Sequence, residues 1–233
     1  MDRKMDGLLE DLKGELLQMS AAVEESIAEA IRGLTLRDDE WCRKVEAGGK
    51  VIDDWEVTIE DTCLKLLAMQ QPVASDLRLI AAIMKINYDL ERINDQAVNI
   101  AQRAVELNKR PLLKPLIDIP RMAEMCQAMV KDALDAFVNH DRALARDVGR
   151  RDEEVDQLRD QIFRELLTYM QVIENSDTVD RGILLILVSR HLEKIGDHAS
   201  NIAENAYYLA EGRIVRHQKA AWWEEADDAP EGG

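Results

Sequence analysis

The chain has 233 residues, 46% hydrophobic, 33% charged and only 4% aromatic, with a formal net charge of −16 and a pI near 4.7. That length supports one large domain or two smaller ones, each with a real core. So much negative charge disfavours nucleic acid and anionic lipid, and suits cations or a basic partner instead.

The first stretch, MDRKMDGLLEDLKGELLQM, alternates charge with leucine and lacks the unbroken apolar core of a signal peptide. From residue 8 to 36 the positions Leu9, Leu12, Leu16, Met19, Val23, Ile27, Ile31 and Leu34 form a stripe of helical period. A turn over Thr35 to Asp39 precedes a second helix from about Glu40 to Met69, in which Gly48-Gly49 is a weak point. QQPVASD, residues 70–76, ends it, because Pro72 cannot continue a helix, and Ser75 or Asp76 can cap the next. The third helix runs from about Leu77 to Leu107. NKRPLLKPLIDIP, residues 108–120, holds three of the five prolines and reads as a linker. Helix four covers Met122 to Asn139, helix five Ala143 to about Tyr169, and ENSDT at 174–178 is a break before helix six, 179–210. The remainder, KAAWWEEADDAPEGG, reads as an acidic, frayed tail within 216–233.

The longest apolar run, ILLILV at 183–188, is too short to span a bilayer, so no membrane insertion is expected. Cys42, Cys63 and Cys126 match no metal or redox spacing, and read as buried reduced thiols of a cytoplasmic protein.

The second half repeats the first. LERINDQAVNIA at 90–101 and LEKIGDHASNIA at 192–203 agree at eight of twelve positions, at an offset of 102. At an offset of 103, Asp38 matches Asp141, Val45 matches Val148, Ile52 matches Val155, Asp53 matches Asp156 and Ile59 matches Ile162. A helix with one apolar stripe must bury it against others, and three such helices close a small core. The expectation is an all-α protein of six long helices in two tandem three-helix bundles: repeats 1–107 and 121–215, joined by 108–120.

The repeated segment carries an acidic stripe. Glu91, Asp95 and Asn99 stand at i, i+4 and i+8, drifting about 40° per step around the helix, and Glu193, Asp197 and Asn201 repeat them. Asp53 lies nineteen residues before Pro72 and Glu91 nineteen after it, so an antiparallel hairpin brings them level. Asp156 and Glu193 are likewise equidistant from Glu174-Asn175, and Asp160 adds a carboxylate one turn on. Like charges at i, i+4 cost a helix about 0.2–0.5 kcal/mol, and a hard or borderline cation such as iron, manganese, zinc or magnesium relieves that repulsion. The bland alternative is a solvated acidic face, against which the duplication argues. His198 is matched by Gln96 and His191 by Asp89, so equivalent sites make neither histidine an essential ligand; His140 and His217 fall near helix ends.

Catalytic signatures are missing from the sequence. No histidine has a glutamate three residues before it, as di-iron carboxylate bundles require, and no phosphate-cradling loop, GxSxG or HExxH occurs. A carboxylate-site metalloenzyme, a metal-dependent hydrolase, is the alternative, because adjacent carboxylates can activate water on a bound metal, but nothing in the sequence supplies the accompanying nucleophile or oxyanion stabiliser. A purely structural helical protein whose acids solubilise it is a third reading.

Duplicated three-helix units, QQPVASDLR after the second helix, LERINDQAVNIA on the third and LEKIGDHASNIAE on the sixth resemble the PhoU family of phosphate-uptake regulators over about residues 5–215. The resemblance implies two three-helix bundles, homodimerisation, and metal at paired acidic motifs. It also implies a non-enzymatic cytoplasmic negative regulator between a transporter nucleotide-binding subunit and a sensor histidine kinase. Carried onto this chain, the metal motifs fall on Glu91 and Asp95, Glu193 and Asp197, and Asp156 and Asp160, with Asp53 on helix two. There the pattern breaks, because Val57 stands where a second acid belongs, with Glu56 or Glu60 as substitutes at other helical angles. The first-half site is therefore expected to be weaker or to hold fewer ions.

Overall fold

The computed structural model describes residues 3–172, 175–215 and 223. Six helices account for nearly all of them: α1 (Arg3–Thr35), α2 (Asp39–Gln70), α3 (Ser75–Asn108), α4 (Asp118–Asn139), α5 (Arg142–Val172) and α6 (Ser176–Glu211). No strand occurs among the described residues. The all-α, duplicated architecture is as the periodicity predicts. The tail at 216–233, apart from Trp223, and with it His217, lies outside the described residues, as do Ile173 and, in the second break, Glu174.

The two halves turn corners the same way. Arg37 (φ 56°) and His140 (φ 52°) each adopt the left-handed conformation after a helix, and an aspartate follows. Asp38 accepts a hydrogen bond from the Glu40 amide, and Asp141 accepts from those of Ala143 (2.9 Å) and Leu144 (3.0 Å). These carboxylates satisfy amides that the first helical turn leaves without partners.

Several boundaries differ from the sequence reading. Ala74 (φ 44°) occupies the N-cap of α3 without a side-chain cap, so neither Ser75 nor Asp76 serves that role. Asn175 caps α6 by accepting from the Asp177 amide, which starts that helix at Ser176 rather than 179. Helix α4 begins at Asp118, inside the stretch read as linker, because Pro120 sits in its first turn, where a missing N–H costs nothing. The connection left, 109–117, is tied down. Arg37 donates to the carbonyls of Asn108 (2.7 Å) and Arg110, and Arg181 donates to that of Pro111 (2.9 Å). Nor does α2 break at Gly48-Gly49. Gly49 is buried, and a Cβ there would stand 3.4 Å from Val98 Cγ2 and 3.7 Å from Asn94 Nδ2, so the glycine lets α2 approach α3 closely.

Within each half all three helices touch one another, and the halves meet along α3 with α6 and α1 with α4. Helices α2 and α5 are thereby left on the outside. Leu16, Met19, Val23 and Ile27 of α1 and Ile83, Ile86, Leu90 and Ile93 of α3 are fully buried, and Val130, Val188, Leu192 and Ile195 repeat this in the second half. Each such side chain contributes about 1.5–3 kcal/mol by leaving water. The buried residues form one continuous cluster through both halves, so the bundles share apolar packing as well as owning it. Cys42, Cys63 and Cys126 are buried free thiols. Burial pushes the first two up to about 11 and about 12, and Cys126 higher still, which leaves them unreactive.

Candidate functional site

The α2–α3 hairpin gathers Asp53, Glu56, Glu91 and Asp95 on one face. Burial raises the Glu91 carboxyl above its ordinary value, and Asp95, then Glu56 and Asp53, push it further, while Arg92 opposes them. Glu56 is raised by burial first, then by Glu60 and Asp53. Glu56 thus shares the face that Val57, exposed to solvent, does not. Arg92 is the built-in counter-charge. Its Nε lies 3.2 Å from Glu91 Oε2 and its Nη1 3.3 Å from Asp95 Oδ2, with the guanidinium 4.9 Å from the centre of the Tyr88 ring. Asn87 fixes the register of the hairpin by donating to the Glu56 carbonyl at 2.8 Å.

The α5–α6 hairpin repeats the arrangement with more acid. Arg159 reaches Glu193 (3.2 Å), Asp156 (3.5 Å) and Asp160 (2.9 Å). Lys194 holds Asp197 at 2.5 Å and Glu193 at 3.4 Å. A residue that the sequence reading missed completes the face. Asp152, one turn before Asp156, has its carboxyl pushed up to about 7, first by burial and then by Asp197, Asp156 and Glu193, with the Ser200 hydroxyl opposing. Its signal was available as the third member of an i, i+4, i+8 run with Asp156 and Asp160. The repeat conceals it, because its counterpart at an offset of 103 is Gly49.

All seven predicted positions therefore lie on the two hairpin faces, three of them on the first and four on the second. Asp160 is exposed at the edge of its face and touches it through Arg159. Asn201 turns away, donating to Asp89 of α3 at 3.3 Å. His191 and His198 lie on the α3 side of α6 and His140 is exposed at a helix end, so none of the three joins the acids. Among the described residues no group of three or more His, Cys, Asp or Glu side chains is placed to hold a metal ion; Arg92, Arg159 and Lys194 stand among the carboxylates instead. Carboxylate oxygens are the donors that a hard cation takes, and in the second half the Asp152 carboxyl, pushed up to about 7 by burial and then by its acidic neighbours, is one whose charge a cation would offset. In the second half Asp152, Asp156, Glu193 and Asp197 would hold it, and in the first Asp53, Glu56, Glu91 and Asp95.

No helix among the described residues is long and apolar enough to cross a membrane. Comparison with known proteins matches the sequence to the PhoU domain twice, over residues 16–104 and 119–206, one match for each half. The phosphate-specific transport system accessory protein PhoU homolog of Aquifex aeolicus is 43% identical over 210 residues, covering 90% of this chain and 94% of that protein. Its counterpart in Pseudomonas aeruginosa is 38% identical over 218 residues, covering 93% and 89%. The crystal structure of PhoU from Pseudomonas aeruginosa superposes with a TM-score of 0.85 at 38% identity, over 89% of this chain and 99% of that one. That of the phosphate transport system regulatory protein PhoU from Streptococcus pneumoniae gives 0.83 at 28% identity, over 91% and 99%. With both halves matched and both hairpins folded as in those structures, the chain belongs to the PhoU family.

Proposed function

We propose that this chain is a non-enzymatic accessory regulator of a phosphate-specific transport system, working in the cytoplasm as a homodimer that binds metal at its two acidic faces. One observation carries the reading: relatives bearing that transport-system name align with nearly the whole of this chain. The partners that the family resemblance supplies are the transporter's nucleotide-binding subunit and a sensor histidine kinase. A net charge of −16 supports docking onto basic surfaces of such partners, with association weakening as salt rises. The chain's own part is to hold carboxylates on two rigid helical hairpins. A bound iron, manganese, zinc or magnesium ion would supply positive charge there, neutralising each face.

Two measurements test this. Deleting the gene should derange the phosphate-starvation response; an unchanged response, with no second copy compensating, removes the assignment. Melting temperatures of wild type and Asp197→Asn, taken in chelator and then with manganese, address the metal. In chelator the variant holds or gains a few tenths of a kcal/mol, because crowding falls. With manganese the wild type gains more, because the variant has lost a ligand. Glu91→Gln behaves likewise, more mildly. Equal responses of all three proteins remove metal from the function.

A further inference from the structure

Helices α3 and α6 pack antiparallel, and polar groups cross their seam in two places. His198 Nδ1 lies 2.9 Å from Asp89 Oδ1, and His191 Nδ1 lies 2.9 Å from Gln96 Oε1. Asp89 is only 5% exposed and accepts from Asn201 as well. The offset of 102 that relates the repeats turns position 89 into 191 and position 96 into 198. Each contact is therefore the two-fold image of the other. The residues that break the repeat, Asp89 against His191 and Gln96 against His198, are partners across the seam.

These contacts stand back to back with the acidic faces. His198 follows Asp197, and its partner Asp89 precedes Glu91 by two residues; His191 precedes Glu193 by two, and its partner Gln96 follows Asp95. Asn201 lies one turn beyond Asp197 and ends on the same buried carboxylate. A buried polar group separated from its partner pays its full desolvation cost. Rotation or sliding of α6 against α3 is opposed at both contacts, so the helices move as one body.

We infer that the α3–α6 seam couples the two acidic faces, so that a cation bound in one half changes the affinity of the other half. This rests on cation binding at those faces as proposed above. A cation drawing α5 toward Glu193 and Asp197 shifts α6, and the seam carries that shift to Glu91 and Asp95. At the weak end of such couplings affinity changes about five- to tenfold, equally in both directions.

The test is calorimetric titration with manganese in about 0.3 M salt, where fields between distant exposed charges are screened. First-face affinity is compared between wild type and Glu193→Gln/Asp197→Asn. It should differ about five- to tenfold, and a difference within error overturns the coupling while leaving metal binding intact. Gln96→Leu/His198→Leu, checked for folding by circular dichroism, should abolish the difference. Asp89→His/His198→Gln, which rebuilds the Asp89 contact in the image of His191–Gln96, should keep it. Coupling that survives the leucine pair, or is lost in the exchange pair, overturns the seam as its carrier. No manganese heat at either face in wild type removes the metal reading, and this inference with it.

Discussion

The two halves fill one position in their bundles in opposite ways. In the first half the outer helix supplies Gly49 and the inner helix Asn94; in the second the outer helix supplies Asp152 and the inner helix Gly196. Asn94 is 1% exposed and accepts a hydrogen bond from Ser26 of α1 at 2.9 Å. In place of Ser26 the second half has Met129, whose Cε would lie 3.8 Å from a Cβ on Gly196. One half thus commits its polar group inward, as a neutral carboxamide tied to the first helix. The other commits it outward, as a carboxylate set among acids. A backbone that is duplicated need not be duplicated chemically, and a glycine on either helix makes room for the exchange.

The core should answer alike in both halves. Leu90→Ala and Leu192→Ala occupy matched positions and are both fully buried, so each should cost about 2–5 kcal/mol in chemical denaturation. Because the buried cluster is continuous, each variant should still unfold in one transition. Two separated transitions would break the picture of a shared core.

The polar substitutions should then separate the halves. Asn94→Ala leaves the Ser26 hydroxyl without its acceptor and opens a small void, at about 1–3 kcal/mol and independent of pH. Asp152→Asn should depend on pH. In the folded chain the Asp152 carboxyl sits at about 7 against an ordinary 3.8, so the native state favours its protonated form. That advantage is complete below about pH 4 and is lost as pH rises through about 7. The variant should match wild type in acid and exceed it above about pH 7, by about 1 kcal/mol once screening is allowed for. A flat difference across that range would mean that Asp152 does not share the acid cluster. Smallest of all should be Lys194→Ala and Arg92→Ala, which remove partly exposed ion pairs and should shift stability by about 0–1 kcal/mol in chelator.

Much of this was legible in the sequence. The stripe of α1 gave its helix, Pro72 gave a break, and counting outward from Pro72 put Asp53 level with Glu91. What stayed hidden depends on how helices rotate against one another. The i, i+4, i+8 spacing put Glu193, Asp197 and Asn201 along one side of the helix, whereas Asn201 points across the seam to Asp89. Gly48-Gly49 looked like a flaw because single-helix propensity has no term for the close approach of α3. Arg92, Arg159 and Lys194 went unnoticed as counter-ions because charges beside a stripe look like ordinary solubilising surface. Asp89 and His191 were visible only as mismatches. Their meaning needed the antiparallel crossing, which pairs each mismatch with the other.

Sequence repeats often build arrays, each unit stacking on the last and offering the same surface to the next. Here the repeated helices face each other across a two-fold, so each unit uses the same patch to meet its neighbour. A surface spent on its own image has nothing left to extend with. The seam between α3 and α6 therefore closes this architecture at two units, and a third copy of the repeat would find no vacant α3-type surface to join.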